Sequence, residues 1–138
     1  MNYTQKFDSL FVNDLKFIQD NELIAPQDWG FFDEQFHNEL KALDSNWKEL
    51  SRPTKYGLLE EYGYRKRYMH SIPEKEKKKR NWTGQKAKSD LRIVFKVWEK
   101  EKVIYYLGIG KRIKGLPKDS RDVWARIQHR PIPENEIN

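Results

Sequence analysis

Residues 103–109, VIYYLGI, form an almost unbroken apolar run of β-branched and aromatic residues. A run of this length and composition suits a strand buried on both faces. The stretch Leu91–Trp98 before it alternates. Leu91, Ile93, Phe95 and Val97 fall on one face, and Arg92, Val94, Lys96 and Trp98 on the other. The polar link 99–102 between them predicts a hairpin turn. A chain with such a hairpin must build a sheet around it and cover both faces of the second strand. Arg92 lies within the first strand, and Lys111 and Arg112 follow the second. Cations so placed either offer a phosphate-binding surface or are ordinary solvated charge.

The rest of the chain supplies the cover. Residues 2–7 read as a short first strand, and Asp8 or Ser9 as the cap of a helix to about Asp20, with Leu10, Phe11, Leu15 and Ile18 on one stripe. A second helix is expected from Pro26 or Asp28 to Leu43, with Trp29, Phe32, Phe36, Leu40 and Leu43 as its core face. Residues 44–53 read as a linker anchored by Trp47 and Leu50. Residues 64–68 alternate aromatic and basic side chains: on a strand, Arg65 and Arg67 share one face, and Tyr64, Lys66 and Tyr68 the other. Two arginines ~7 Å apart on one face match neighbouring phosphates of a single nucleic-acid strand, and nearby tyrosines can stack on bases. Residues 71–90 are polar and basic, with Lys78, Lys79 and Arg80 in a charge run. They read as a loop insertion, either a basic arm for nucleic acid or a solvated excursion. Trp82 within it folds back on the sheet or stacks on a partner. A last helix over residues 121–128 carries Val123, Trp124 and Ile127, and residues 131–138 read as a flexible tail.

These elements predict one α+β domain over residues 1–138: a small antiparallel sheet of about four strands, packed by two N-terminal helices, with a short C-terminal helix. A net charge of +6 favours anionic partners. The chain has no cysteine, which excludes disulfides and thiolate chemistry and is compatible with the cytoplasm. No apolar run approaches the ~20 residues of a membrane helix, and no signal peptide is expected. Neither a metal-ligand cluster nor a glycine-rich phosphate loop is present, so no cofactor is expected.

In Tyr64-Arg65-Lys66-Arg67, in residues 91–97, in residues 104–112 and in Asp122-Val123-Trp124, the chain resembles the RelE/ParE superfamily of bacterial toxin–antitoxin toxins, the RelE branch most closely. The matches cover about a third of the chain; the helical N-terminal half agrees in element order. The resemblance implies a metal-independent endoribonuclease that cleaves mRNA, on the ribosome, by attack of a 2′-hydroxyl on the adjacent phosphate. It implies a cognate antitoxin as partner. It places Arg65 and Arg67 where the family's basic residues assist the hydroxyl, Arg92 on the scissile phosphate, and Arg112 as phosphate stabiliser and possible acid. Tyr64, Lys66, Lys111, Trp124 and the Lys78-Lys79-Arg80 run would contact RNA. Arginine keeps its proton to pH above ~12, so Arg65 and Arg67 are poor bases. Glu60, Glu61, His70 and His129 stand as alternatives. The other readings are a ParE-like inhibitor of gyrase and a non-catalytic nucleic-acid-binding domain on the same fold.

Overall fold

A computed structural model describes residues 3–55 and 57–112, with residues 127 and 130 beyond them. The expected C-terminal helix with Trp124, the base candidate His129 and the tail 131–138 lie outside the described residues.

The hairpin forms as its pattern dictates. The strand β4 (Leu91–Trp98) pairs antiparallel with β5 (Val103–Lys111), and Val103 to Gly110 are all buried. Lys102 closes the turn in the left-handed region at φ 59°. Three more strands, β1 (Thr4–Phe7), β2 (Arg52–Pro53) and β3 (Arg65–Met69), complete a sheet in the order β1-β5-β4-β3-β2. Only β1 runs parallel to its neighbour, with Thr4 opposite Val103. The sheet thus has five strands rather than about four; the added one is the two-residue β2, too short to leave an alternating pattern.

Two helices cover one face. In α1 (Phe11–Asp20) Phe11 and Ile18 are buried, and in α2 (Trp29–Leu50) Phe32, Phe36 and Leu43 are. They join Met69, Leu91, Ile93, Phe95, Ile104, Tyr106 and Ile109 in the main core. The first helix is capped at Leu10, with no side-chain cap, rather than at Asp8 or Ser9; Asp8 lies two residues ahead and accepts from Leu10 N at 2.9 Å. The helix α2 runs seven residues past Leu43, through residues read as linker, with a break in helical geometry at Asn46. The polar run 44–46 hides the continuation, but Trp47 and Leu50 extend the same apolar stripe and pack on the core. The opposite face carries a smaller core of Leu59, Tyr64, Val94, Tyr105, Leu107 and Ile127. A bulge between Val94 and Phe95 resets the register there.

Two polar devices finish the scaffold. Where β1 ends, β5 continues with no described strand on that side. There Asp14 accepts from Ile109 N at 3.2 Å, and Arg130 donates to Leu107 O at 2.7 Å. The two side chains pair bidentately, both contacts at 2.8 Å, so a buried ion pair stands in for a sixth strand. The second device orders the segment expected to be a loop. Residues 71–90 contain α4 (Glu74–Lys79), after the short α3 (Gly57–Glu61), and a 3-10 turn, Gly84–Ala87. The Lys77 ammonium is buried, donating to Lys88 O (2.8 Å) and His70 Nδ1 (2.9 Å), with Asp90 3.8 Å away. Asp90 in turn accepts from Ser71 N and Oγ and from Lys111.

Candidate active site

Strand parity sorts the basic residues of β3 onto opposite faces. Arg65 and Arg67 share the side of buried Met69, facing α2. Arg65 donates from Nε to Ser51 Oγ (2.6 Å) and from Nη2 to Ser51 O (2.9 Å) and Lys48 O (3.2 Å), while its guanidinium lies over Trp47. It satisfies carbonyls at the end of α2. Arg67 pairs with Glu39 and donates to Leu50 O at 3.1 Å. Both arginines, expected beside the attacking hydroxyl, lash β3 to α2. Tyr64 also departs from expectation: it is fully buried in the smaller core and has no free ring face for a base.

The other side of the sheet gathers a different set. Tyr68 lies opposite Arg92 in the β3–β4 ladder, and Lys66 precedes it on the same face. Arg92 lies opposite Gly110, two residues before the next cation of this cluster, Arg112. The Arg112 guanidinium stands 3.9 Å from the Tyr68 ring centroid, Arg92 5.3 Å and the Lys66 ammonium 5.6 Å. Arg112 is oriented by Ser89, donating from Nη1 to its Oγ at 3.1 Å and its carbonyl at 3.3 Å. Partial burial would raise the pKa of the Tyr68 phenol. The charge of Arg92, a hydrogen bond from Lys66 and the charges of Lys66 and Arg112 outweigh it and bring the pKa below the ordinary tyrosine value. The result is a half-buried phenol of increased acidity inside a ring of cations. Such a ring favours a phosphate, which accepts from several donors at once.

The remaining expectations divide. Lys78 and Lys79 are exposed on α4, while Arg80 is held by Asp28, with contacts at 2.8 and 3.1 Å, and by Glu76. Trp82 has the Arg80 guanidinium 5.2 Å and the exposed Lys86 ammonium 5.7 Å from its ring centroid. Lys111 is tied to Asp90 at 3.2 Å. Among the candidate bases, Glu60 and Glu61 are exposed on α3. His70 is held neutral: burial and then the Lys77 charge lower its pKa, and its Nδ1 is taken up by Lys77. Tyr68 was missed as a titrating group. The signal for it was the period-two pairing of a phenol with Lys66, two residues away on the same face. No group of described residues has the makings of a metal site, and no described helix is long and apolar enough to cross a membrane.

No protein-family model matches the chain, and no curated protein matches it. Two solved structures do. One is the conserved hypothetical protein HP0892 from Helicobacter pylori, 17% identical, covering 79% of this chain and 93% of that one, with a TM-score of 0.45. The other is the toxin–antitoxin complex RelBE2 from Mycobacterium tuberculosis, 15% identical, covering 81% of this chain and 100% of that one, with a TM-score of 0.43. Neither likeness is close enough to assign an activity. What the chain itself displays is an α+β sheet with a phenol and three cations gathered on one face.

Proposed function

We propose that this chain is a RelE-like toxin that cleaves mRNA on the ribosome, with Lys66, Tyr68, Arg92 and Arg112 as its working residues. The observation that carries the reading is the convergence of the three cations on the acidified Tyr68 phenol. Arg92 and Arg112 bind the scissile phosphate and stabilise the charge of its five-coordinate transition state. The Tyr68 phenolate takes the proton of the 2′-hydroxyl. The 2′-oxygen then bonds to phosphorus, the bond to the 5′-oxygen breaks, and the Lys66 ammonium gives that leaving oxygen a proton. The products are a 2′,3′-cyclic phosphate and a 5′-hydroxyl, and no metal is required. A cognate antitoxin would cover the basic face with an acidic or amphipathic segment.

The test is to incubate the purified protein with translating ribosomes and mRNA and map new RNA ends, beside Tyr68→Phe and the double variant Arg92→Ala/Arg112→Ala. The expected result is cutting at the ribosomal A site, slowed ~10²–10⁴-fold in Tyr68→Phe and lost in the double variant. A wild-type rate that rises with pH up to the lowered phenol pKa, flattened in Tyr68→Phe, identifies Tyr68 as the base. No cutting by the wild-type protein, with inhibition of gyrase instead, would replace this reading with that of a ParE-like protein.

A further inference from the structure

We propose that the cleft between residues 23–25 and the 71–90 segment is a nucleotide pocket. It takes one nucleobase against Trp82 and that nucleotide's phosphate on Lys111 and Arg112. The cleft encloses about 410 Å³, within the range of small-molecule sites. Leu23, Ile24 and Ile72 give it an apolar lining and Trp82 an aromatic one; its carboxylates Asp28 and Asp90 are paired with Arg80 and Lys111, and Lys86 and Arg112 leave the lining positive. Stacking on an indole serves any base, because every base has a π-face; here the base takes the place of the exposed Lys86 ammonium at the Trp82 ring, while Arg80 stays held by Asp28 and Glu76. Gln85, also in the lining, brings a donor and an acceptor to a base edge.

The position of Arg112 links this cleft to the phenol cluster. Its guanidinium lies over Tyr68 while the same residue lines the pocket. A strand whose phosphate sits on Arg92 and Arg112 therefore carries its neighbouring nucleotide to the pocket. The pocket wall is preformed. Lys77, 4% exposed at its side chain, and Asp90 brace the 71–90 segment internally through Lys88 and Ser71 and fasten it to the ends of β3 and β5 through His70 and Lys111. A buried lysine is a costly fastening for a solvated loop and a reasonable one for a wall that has to hold its shape. The subsite rests on the reading of the Tyr68 face as an RNA site, but its binding chemistry can be tested separately.

The indole N–H of Trp82 is followed by NMR, assigned with Trp82→Phe, while the full chain is titrated with each of the four nucleoside 5′-monophosphates, with ribose 5-phosphate and with inorganic phosphate. The variants are Ala25→Phe, which fills the pocket away from Tyr68, and Arg112→Ala. Gln85→Ala, at an exposed position, is the second pocket variant should Ala25→Phe fail to fold. The expected result is a shift of the Trp82 signal by nucleotides, at least ten-fold weaker binding of ribose 5-phosphate, and at least ten-fold weaker nucleotide binding in Ala25→Phe and Arg112→Ala. No Trp82 shift, or equal binding of nucleotide and ribose 5-phosphate, overturns the proposal. RNA cleavage is the second arm. An abasic site beside the cut should slow the wild-type protein at least ten-fold and leave Ala25→Phe indifferent. If the wild-type protein cuts no RNA while the nucleotide titration behaves as expected, the ribonuclease reading falls and the nucleotide pocket is supported.

Discussion

Replacing Asp14 with Asn tests the ion pair that completes the β5 edge. The side chains of Asp14 and Arg130 are 0% and 5% exposed, and they meet in two contacts of 2.8 Å. Asp14→Asn keeps the shape and removes the charge, leaving the Arg130 guanidinium buried without its counterion. Breaking such a pair costs ~3–5 kcal/mol, a large part of the ~5–15 kcal/mol that holds a domain together. Taking ~4 kcal/mol and a urea slope of ~2 kcal/mol per M, the unfolding midpoint should fall by about 2 M. The melting temperature should fall by roughly 10–15 °C. Urea titrations of the wild type, Asp14→Asn, Arg130→Met and the double variant Asp14→Leu/Arg130→Met form the assay. The double variant should recover much of the loss, since replacing both ions with apolar groups is often near neutral. A loss below ~1 kcal/mol in both single variants, the scale of an exposed pair, would refute the claim that this pair closes the sheet edge.

Gly108→Ala should destabilise by ~1–3 kcal/mol in the same titration, because an added Cβ would lie 2.6 Å from Ile127 Cγ2 and 3.0 Å from Arg130 Nη1. Stability should decline as the pH is lowered from 7.5 to 5. Burial and the Lys77 charge lower the folded pKa of His70, so as pH falls through its ordinary value the unfolded chain takes up the proton first and is favoured. Urea midpoints at the two pH values check this, and the dependence should flatten in His70→Gln. For single-stranded RNA, Lys66→Ala or Arg92→Ala should reduce the slope of log K against log salt by ~0.7 each if these cations hold phosphates. Unchanged slopes would remove them from the contact.

The hairpin was readable because its patterns are local: alternation in β4 and an unbroken apolar run in β5 each leave one arrangement. Both helical stripes were readable for the same reason. The end of α2 was not, because Asp44, Ser45 and Asn46 carry the composition of a loop and the helix persists there through the packing of Trp47 and Leu50. Helix α4 lies in a charge run with no apolar stripe, and its anchor is a lysine whose partners, His70, Lys88 and Asp90, are all outside the helix. In β3, parity separated Arg65 and Arg67 from Lys66 and Tyr68 but did not say which pair faces the core. Met69 held that answer, since an apolar residue in phase with the arginines turns them towards α2. Arg92 and Arg112 stand out in the sequence as cations of the hairpin, whereas the phenol between them is one of several tyrosines. The electrostatic effect of three cations on one ring arises only once three strands are side by side.

The parallel pairing of β1 with β5 sets an order of events in the birth of this chain. Thr4 finds its partner at Val103 and Asp14 at Arg130, the latter pair 116 residues apart. At ~5–20 residues per second, the first strand emerges several seconds or more before the strand it pairs with exists. Through that interval Phe7 lacks Tyr106, on which it stacks at 5.0 Å in the finished fold. Helices α1 and α2 can form from local contacts, but the sheet that gives them a floor closes only after β5 has been made. Strand β1 is made before β5 and docks only once β5 exists, so a chain truncated before β5 would display an apolar edge and the apolar faces of two helices with nothing to cover them.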